Sequence, residues 1–191
     1  MVEIRDIGFG EVLEIVPVKH GDDRGFFSET YNAKTFAEAG LDVTFVQDNH
    51  SLSASVGTLR GLHYQAPPFA QGKLVRVARG EILDVAVDIR HGSPTFAQWV
   101  SLHVSAERWN QIYIPPGFAH GFVTLEPDTE VVYKVTNYYS PEHDRSIRFS
   151  DPEIGVEWPS LDTPLQLSQK DRDAPFLAAV DTGFTYGGER G

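Results

Sequence analysis

Residues Lys73–Arg79 and 81–89 place apolar side chains at every second position, with Gly80 between them. Successive side chains of a strand point to opposite faces, so this period belongs to β-structure and not to a helix. The two stretches read as a hairpin turned at the glycine. The same alternation recurs in residues 98–104 and in Gln111–Ile114, which runs into Pro115-Pro116-Gly117, a strong turn signal. Residues 120–125 and 129–138 read as a further strand pair around Pro127-Asp128. Nearer the start, residues 12–18, 26–31 and 43–52 are strand candidates. One short helix is expected at residues 33–39, with Asn32 as N-cap and Gly40 just past its end. Beyond Asp151 the chain is polar and proline-rich, with short helices at most near residues 171–180. With 17 Gly and 12 Pro punctuating many short strands, the expected class is all-β with a few short helices. A sandwich or barrel fits, and jelly rolls and cupins belong to that group. At 191 residues and 41% hydrophobic content, one domain spanning 1–191 is expected.

Composition narrows the chemistry. The chain has no cysteine, which removes disulfides, thiolate–metal sites and a thiol nucleophile. It starts Met1-Val2-Glu3-Ile4-Arg5-Asp6, without the basic-then-apolar pattern of a signal peptide, and no apolar run approaches a membrane span. A cytoplasmic protein with no membrane partner is expected. The formal net charge of −11 repels nucleic acid, so none is expected as a partner. It also repels a phosphorylated ligand at long range, so any diphosphate site needs its own clustered cations.

Arg60-Gly61-Leu62-His63-Tyr64-Gln65, followed by Lys73, puts a guanidinium, an imidazole and an ammonium on neighbouring strands. A neutral imidazole can take a proton next to a carbonyl, and an ammonium can hold the enolate oxygen that results. No nucleophile elbow, P-loop or dinucleotide-binding glycine turn competes with that reading. On a strand, Leu59, Gly61, His63 and Gln65 share a face that packs poorly, which hints at a cavity; the alternative is a buried histidine satisfied by a carbonyl. Lys73 shares a face with Val75 and Val77, so it lies either in a cavity or at the wet end of its strand. Tyr133 alternates with Val131 and Val135 and points inward, where its hydroxyl is either a structural donor or a proton donor. Asp171 is a candidate partner that would fix the His63 tautomer. Pro115-Pro116-Gly117-Phe118-Ala119-His120 matches half of a metal-cupin pattern. The earlier strand reads His63-Tyr64-Gln65, however, so the second imidazole of a metal site is missing and no metal is expected. Arg24 can clamp a phosphate, and Gln47 and Asn49 can read a base or sugar edge.

These pieces occur in a fixed order. Residues 24–29, 45–51, 59–65, Lys73, residues 114–122, 133–136, 138–142 and 167–171 together resemble the dTDP-4-dehydrorhamnose 3,5-epimerase family over about residues 5–178. The resemblance implies a cupin jelly roll (a double-stranded β-helix), a homodimer and no cofactor. It implies conversion of dTDP-4-dehydro-6-deoxy-D-glucose to dTDP-4-dehydro-L-rhamnose. In that frame His63 is the general base, Asp171 its partner, Tyr133 the acid on the opposite face and Lys73 the enolate stabiliser. His120 lies beside the sugar. Arg24, Glu29, Gln47, Asn49, Arg60 and Lys170 contact the nucleotide or diphosphate, with Phe27 in the same motif, and Tyr138 or Tyr139 stacks on thymine. Residues 51–58 lack the positive charge many members carry, and Phe149 stands where Trp is common. These departures leave open an epimerase of a related sugar that inverts only C3 or only C5.

Overall fold

The structure is a computed structural model that describes residues 2–187. The chain opens with β1 (Glu3–Gly8), β2 (Val12–Val16), β3 (His20–Asp22), β4 (Gly25–Phe27) and helix α1 (Ala33–Glu38). Then follow β5 (Gln47–Ser53), β6 (Leu59–Gln65), β7 (Lys73–Arg79), β8 (Glu81–Asp88), β9 (Trp99–Ser105) and β10 (Gln111–Ile114). The last strands are β11 (Phe118–Thr124), β12 (Thr129–Val135) and β13 (Asp144–Ser146), ahead of helix α2 (Gln169–Asp173) and a 3-10 turn at Leu177–Ala179.

Two antiparallel sheets carry the fold. One has the order β1-β2-β10-β7-β12-β5 and the other β13-β6-β11-β8-β9. Their inner faces meet in one core. Val75, Val77, Ile112, Ile114 and Val131 come from the first sheet, and Ile82, Ala86, Val104, Phe118 and Phe122 from the second. From β5 to β8 and from β9 to β13 successive strands pass from one sheet to the other, while β1–β2 and β8–β9 pair within a sheet; this is the jelly-roll topology of the cupins. The two hairpins expected from the sequence are therefore not hairpins. β7 pairs with β10 and β12, while β8 pairs with β9 and β11. Likewise β11 and β12 lie in different sheets. Gly80 and the 125–128 turn carry the chain across the sandwich instead of folding it back. Gly80 has φ +82°, and a Cβ there would lie 2.3 Å from Thr129 Oγ1. Alternation cannot tell these two outcomes apart, because each strand has one buried face in either.

The outer faces are covered too. α1, capped by the Asn32 side chain on Thr35 N at 3.2 Å as the sequence predicts, seats Phe36 on Ile15, Leu74 and Tyr113. The segment after Asp151 lays Ile154 and Leu177 on Val85, Val87 and Ala119. Of the candidate strand at 26–31 only Phe26 and Phe27 are extended, at the end of β4, which pairs with β3 in an exposed hairpin. Among the described residues no helix is long and apolar enough to cross a membrane.

Candidate active site

The site begins with an irregularity in β6. His63 lies opposite His120 on β11, but Phe122 lies opposite Arg60, so β6 spends three residues where β11 spends two. Such a bulge breaks the period-two parity of a strand. Arg60 and His63 would otherwise face opposite ways; here both line the same cavity. Glycine makes the bulge possible. Gly61 has φ +149°, and a Cβ on it would lie 2.6 Å from Gly121 Cα across the strand pair. The close approach of these two backbones sets His63 and His120 side by side.

The cavity lies between the two sheets and has a volume of about 460 Å³. His63 and His120 stand on one wall, and Lys73 and Tyr133 on the other, from β7 and β12. Val75, Phe122 and Val131 add apolar surface. A second lobe of about 350 Å³ shares His63, Lys73 and Tyr133 and continues past Gln47, Asn49, Tyr139 and Lys170. The sandwich thus holds one continuous cleft, lined with cations although the chain as a whole is acidic.

Asp171 enters from α2. Ser168 is the N-cap of that helix and accepts from Asp171 N, while its hydroxyl donates to Asp171 Oδ2 at 2.7 Å. The other carboxylate oxygen, Oδ1, lies 2.5 Å from His63 Nε2. Burial alone would push the Asp171 carboxyl up. The hydrogen bonds from His63 and Ser168 outweigh burial and hold it below the usual carboxylate range. The imidazole is thereby oriented through Nε2, which leaves Nδ1 for the cleft.

Electrostatics differ between the walls. Burial depresses the Lys73 ammonium to about 8, against the opposing pull of Asp144 and Asp84. Burial also raises the Tyr133 phenol, partly offset by Arg60, so that it keeps its proton. His120 donates from Nε2 to Asp84 Oδ2 at 2.9 Å, and burial holds its ring below the ordinary histidine range. A base with its orienting carboxylate, a phenol and an ammonium thus converge on one space from two sides. That set can remove a proton beside a carbonyl, hold the resulting oxyanion and return a proton from the far side. Among the described residues no group of three or more His, Asp or Glu side chains is placed to hold a metal ion.

Comparison with known proteins agrees with that geometry. Residues 7–179 match the dTDP-4-dehydrorhamnose 3,5-epimerase family. The chain belongs to this family. Among its relatives, the dTDP-4-dehydrorhamnose 3,5-epimerase of Salmonella typhimurium is 57% identical over 87% of this chain and 91% of its own. That of Sinorhizobium fredii is 52% identical over 95% of this chain and 93% of its own. A crystal structure of the dTDP-6-deoxy-D-glucose-3,5-epimerase of Legionella pneumophila, in complex with dTDP-4-keto-L-rhamnose, superposes with a TM-score of 0.90 at 47% identity and covers 95% of each chain.

Against the residues the family resemblance singles out, the fold brings most together in the epimerase cleft. His63, Asp171, Lys73, Tyr133, Arg60 and His120 line the first lobe. Gln47, Asn49, Tyr139 and Lys170 line the second. Arg24, Phe27, Glu29 and Tyr138 lie outside both lobes. Arg24 is at the tip of the β3–β4 hairpin, paired with Asp22 at 2.5 Å and with its side chain 90% exposed. Phe27 and Glu29 line a separate hollow by α1. Tyr138 is exposed, with its carbonyl held by Gln65 Nε2 at 2.9 Å.

Sequence reasoning passed over four contributors. Gln65 is buried and also accepts from Ser140 N at 2.8 Å, so it anchors the segment that carries Tyr139. Asp144 pairs with Lys170 and accepts from the Tyr139 hydroxyl at 3.1 Å. Ser168 holds Asp171. Asp84 shares the inner face of β8 with Ile82 and Ala86, and a carboxylate on an apolar face was the one signal on offer.

Proposed function

We propose that this protein epimerises dTDP-4-dehydro-6-deoxy-D-glucose at C3 and C5, giving dTDP-4-dehydro-L-rhamnose. Both carbons flank the C4 ketone, so one oxyanion site serves both inversions. The observation that supports this reading best is the division of the chemistry between the sheets. His63 with Asp171 belongs to one wall and Tyr133 to the other. A sugar ring held between them presents one face to the imidazole and the other to the phenol. His63 Nδ1 takes the proton, the Lys73 ammonium meets the enolate oxygen, and Tyr133 returns a proton on the opposite face. Arg60 and Lys170 supply positive charge for the diphosphate, which an acidic chain must concentrate locally. Gln47 and Asn49 offer amides to the nucleotide, His120 lies beside the sugar, and Tyr139 or Tyr138 stacks on the base. No metal or organic cofactor enters this scheme. Inversion at both centres is preferred over one because relatives at 52% and 57% identity are 3,5-epimerases.

The working unit in this reading is a homodimer in the cytoplasm. Arg24, Phe27 and Glu29 sit away from the cleft of their own chain and, in this reading, complete that of a second. The deciding experiment incubates pure protein with dTDP-4-dehydro-6-deoxy-D-glucose in deuterated water and follows C3 and C5 by NMR. Deuterium at both positions with inversion at both is expected. Deuterium at one position alone would mark a mono-epimerase, and its absence at both a binding protein.

A further inference from the structure

Asp84 is a buried titratable group that the scheme above does not use. Its side chain is fully buried on β8. Oδ2 accepts from His120 Nε2, while Oδ1 has no hydrogen-bond partner. Burying a carboxylate with half of its capacity empty is unfavourable, and an apolar residue between Ile82 and Ala86 would pack without that cost. Such a group calls for a compensating charge. Among the described residues three cations line the cleft: Arg60, which donates to Ser53 Oγ and the Leu52 carbonyl, Lys170 and Lys73. Lys170 on α2 is already paired with Asp144 on β13. Lys73 on β7 makes no ion pair among the described residues, and Asp84 and Asp144 are the carboxylates that act on it. Arg60 and His63 on β6, His120 on β11, Tyr133 on β12 and Asp171 on α2 are the other titratable groups lining its cavity.

We propose that Asp84 is a positioning residue of the epimerase site, its buried carboxylate being the counter-charge that keeps Lys73 an ammonium and fixes His120 through Nε2. It reaches the substrate only through these two side chains. The proposal rests on the reading of Lys73 as the cation that meets the enolate oxygen. The arrangement gives each imidazole its own carboxylate, Asp171 behind His63 and Asp84 behind His120. The first pair faces the cleft more openly, and the second lies beneath it.

The test is Asp84→Asn, whose amide oxygen still accepts from His120 while the charge is gone. Competitive acetylation of Lys73 across pH, read by peptide mass spectrometry, reports its protonation without reference to turnover. The midpoint is expected near 8 in the parent protein and about one pH unit lower in the variant. The alkaline limb of kcat should move by the same amount, so that loss is small at pH 6 and roughly tenfold above pH 8. Coincident labelling curves would overturn the proposal, whatever the activity. An inactive parent with a shifted curve would instead overturn the reading of the function and leave Asp84 in place. Should Asp84→Asn fail to fold, Lys73→Met replaces it, with the Asp84 carboxyl followed by carbon-13 NMR. Asp84 should then titrate at higher pH than in the parent, and an unchanged titration would reject the pairing.

Discussion

His63 has two ring nitrogens, and the contact with Asp171 commits one of them. A carboxylate on Nε2 stabilises the imidazolium formed at Nδ1, so Asp171→Asn should lower kcat by ~10²–10⁴-fold while ligand affinity changes little. Single-turnover kinetics beside calorimetric binding of dTDP separates the two; lost affinity with normal turnover of bound substrate would make Asp171 a ligand contact. The proposed scheme gives Tyr133 a different duty. In Tyr133→Phe, His63 still removes the proton and Lys73 still holds the enolate, so deuterium should enter from solvent while inverted product falls at least ~10²-fold. Equal loss of exchange and inversion would move Tyr133 from proton return to enolate formation or packing. In the proposed scheme Lys73 sets the pH limit. As an ammonium depressed to about 8, it is charged below that pH and loses its proton as the pH rises through it. Turnover should therefore fall on the alkaline side near pH 8 and not near 10, where an ordinary lysine titrates. Tyr133, raised by burial, keeps its phenolic proton over that range. A flat kcat between pH 7 and 9.5 would rule out the Lys73 ammonium as the oxyanion partner.

The strand pair β6–β11 is the element on which the site depends. Its bulge turns Arg60 inward, and the Gly61–Gly121 approach brings the two imidazoles abreast. Gly61→Ala would place a methyl 2.6 Å from Gly121 Cα at a φ that suits glycine alone. It should destabilise the fold by about 2 kcal/mol or more and separate His63 from the cleft. Denaturant unfolding and the exchange assay together check this, and a variant with parental stability and turnover would show that the strands part without cost. Strands were legible in the sequence wherever one face is apolar, which is why β7, β8, β10 and β12 fall close to expectation. The α1 helix was legible through its Asn32 cap. Strand partners were not, because this jelly roll sends most neighbours in sequence to opposite sheets but keeps β1–β2 and β8–β9 in one, and alternation is blind to the difference. His63, Lys73 and Tyr133 stood out as polar groups on faces that also carry apolar residues. Arg60 could be placed only by its motif, since strict parity puts it on the face away from His63. Asp171 could be named but not docked, because its approach to His63 spans 108 positions of sequence and depends on the path of the tail.

At the scale of the whole molecule, the chain leaves part of its expected site unused. Among the described residues β5 ends one sheet without a further partner strand, and Leu52 on it is 57% exposed. The nearby-in-sequence hairpin β3–β4 presents Phe26 and Phe27, 54% and 67% exposed, with Arg24 at its tip. Two large apolar rings and a free sheet edge are a liability for an isolated chain, and pairing with a second copy removes both. A two-fold dimer that laid this hairpin over each partner's cleft would bring Arg24 to the diphosphate that Arg60 and Lys170 attract in the proposed scheme. Light scattering should then give twice the chain mass. The sharper check is complementation. Arg24→Ala and His63→Ala should each inactivate, but a mixed dimer should rebuild one complete cleft, His63 from the first variant and Arg24 from the second. Random pairing after co-refolding should recover about a quarter of parental activity, since half of the dimers are mixed and each has one working site of two. Recovery at that level would establish a cleft shared between chains. A dimer that stays inactive would confine each site to one chain and return Arg24 to the solvent-exposed ion pair with Asp22.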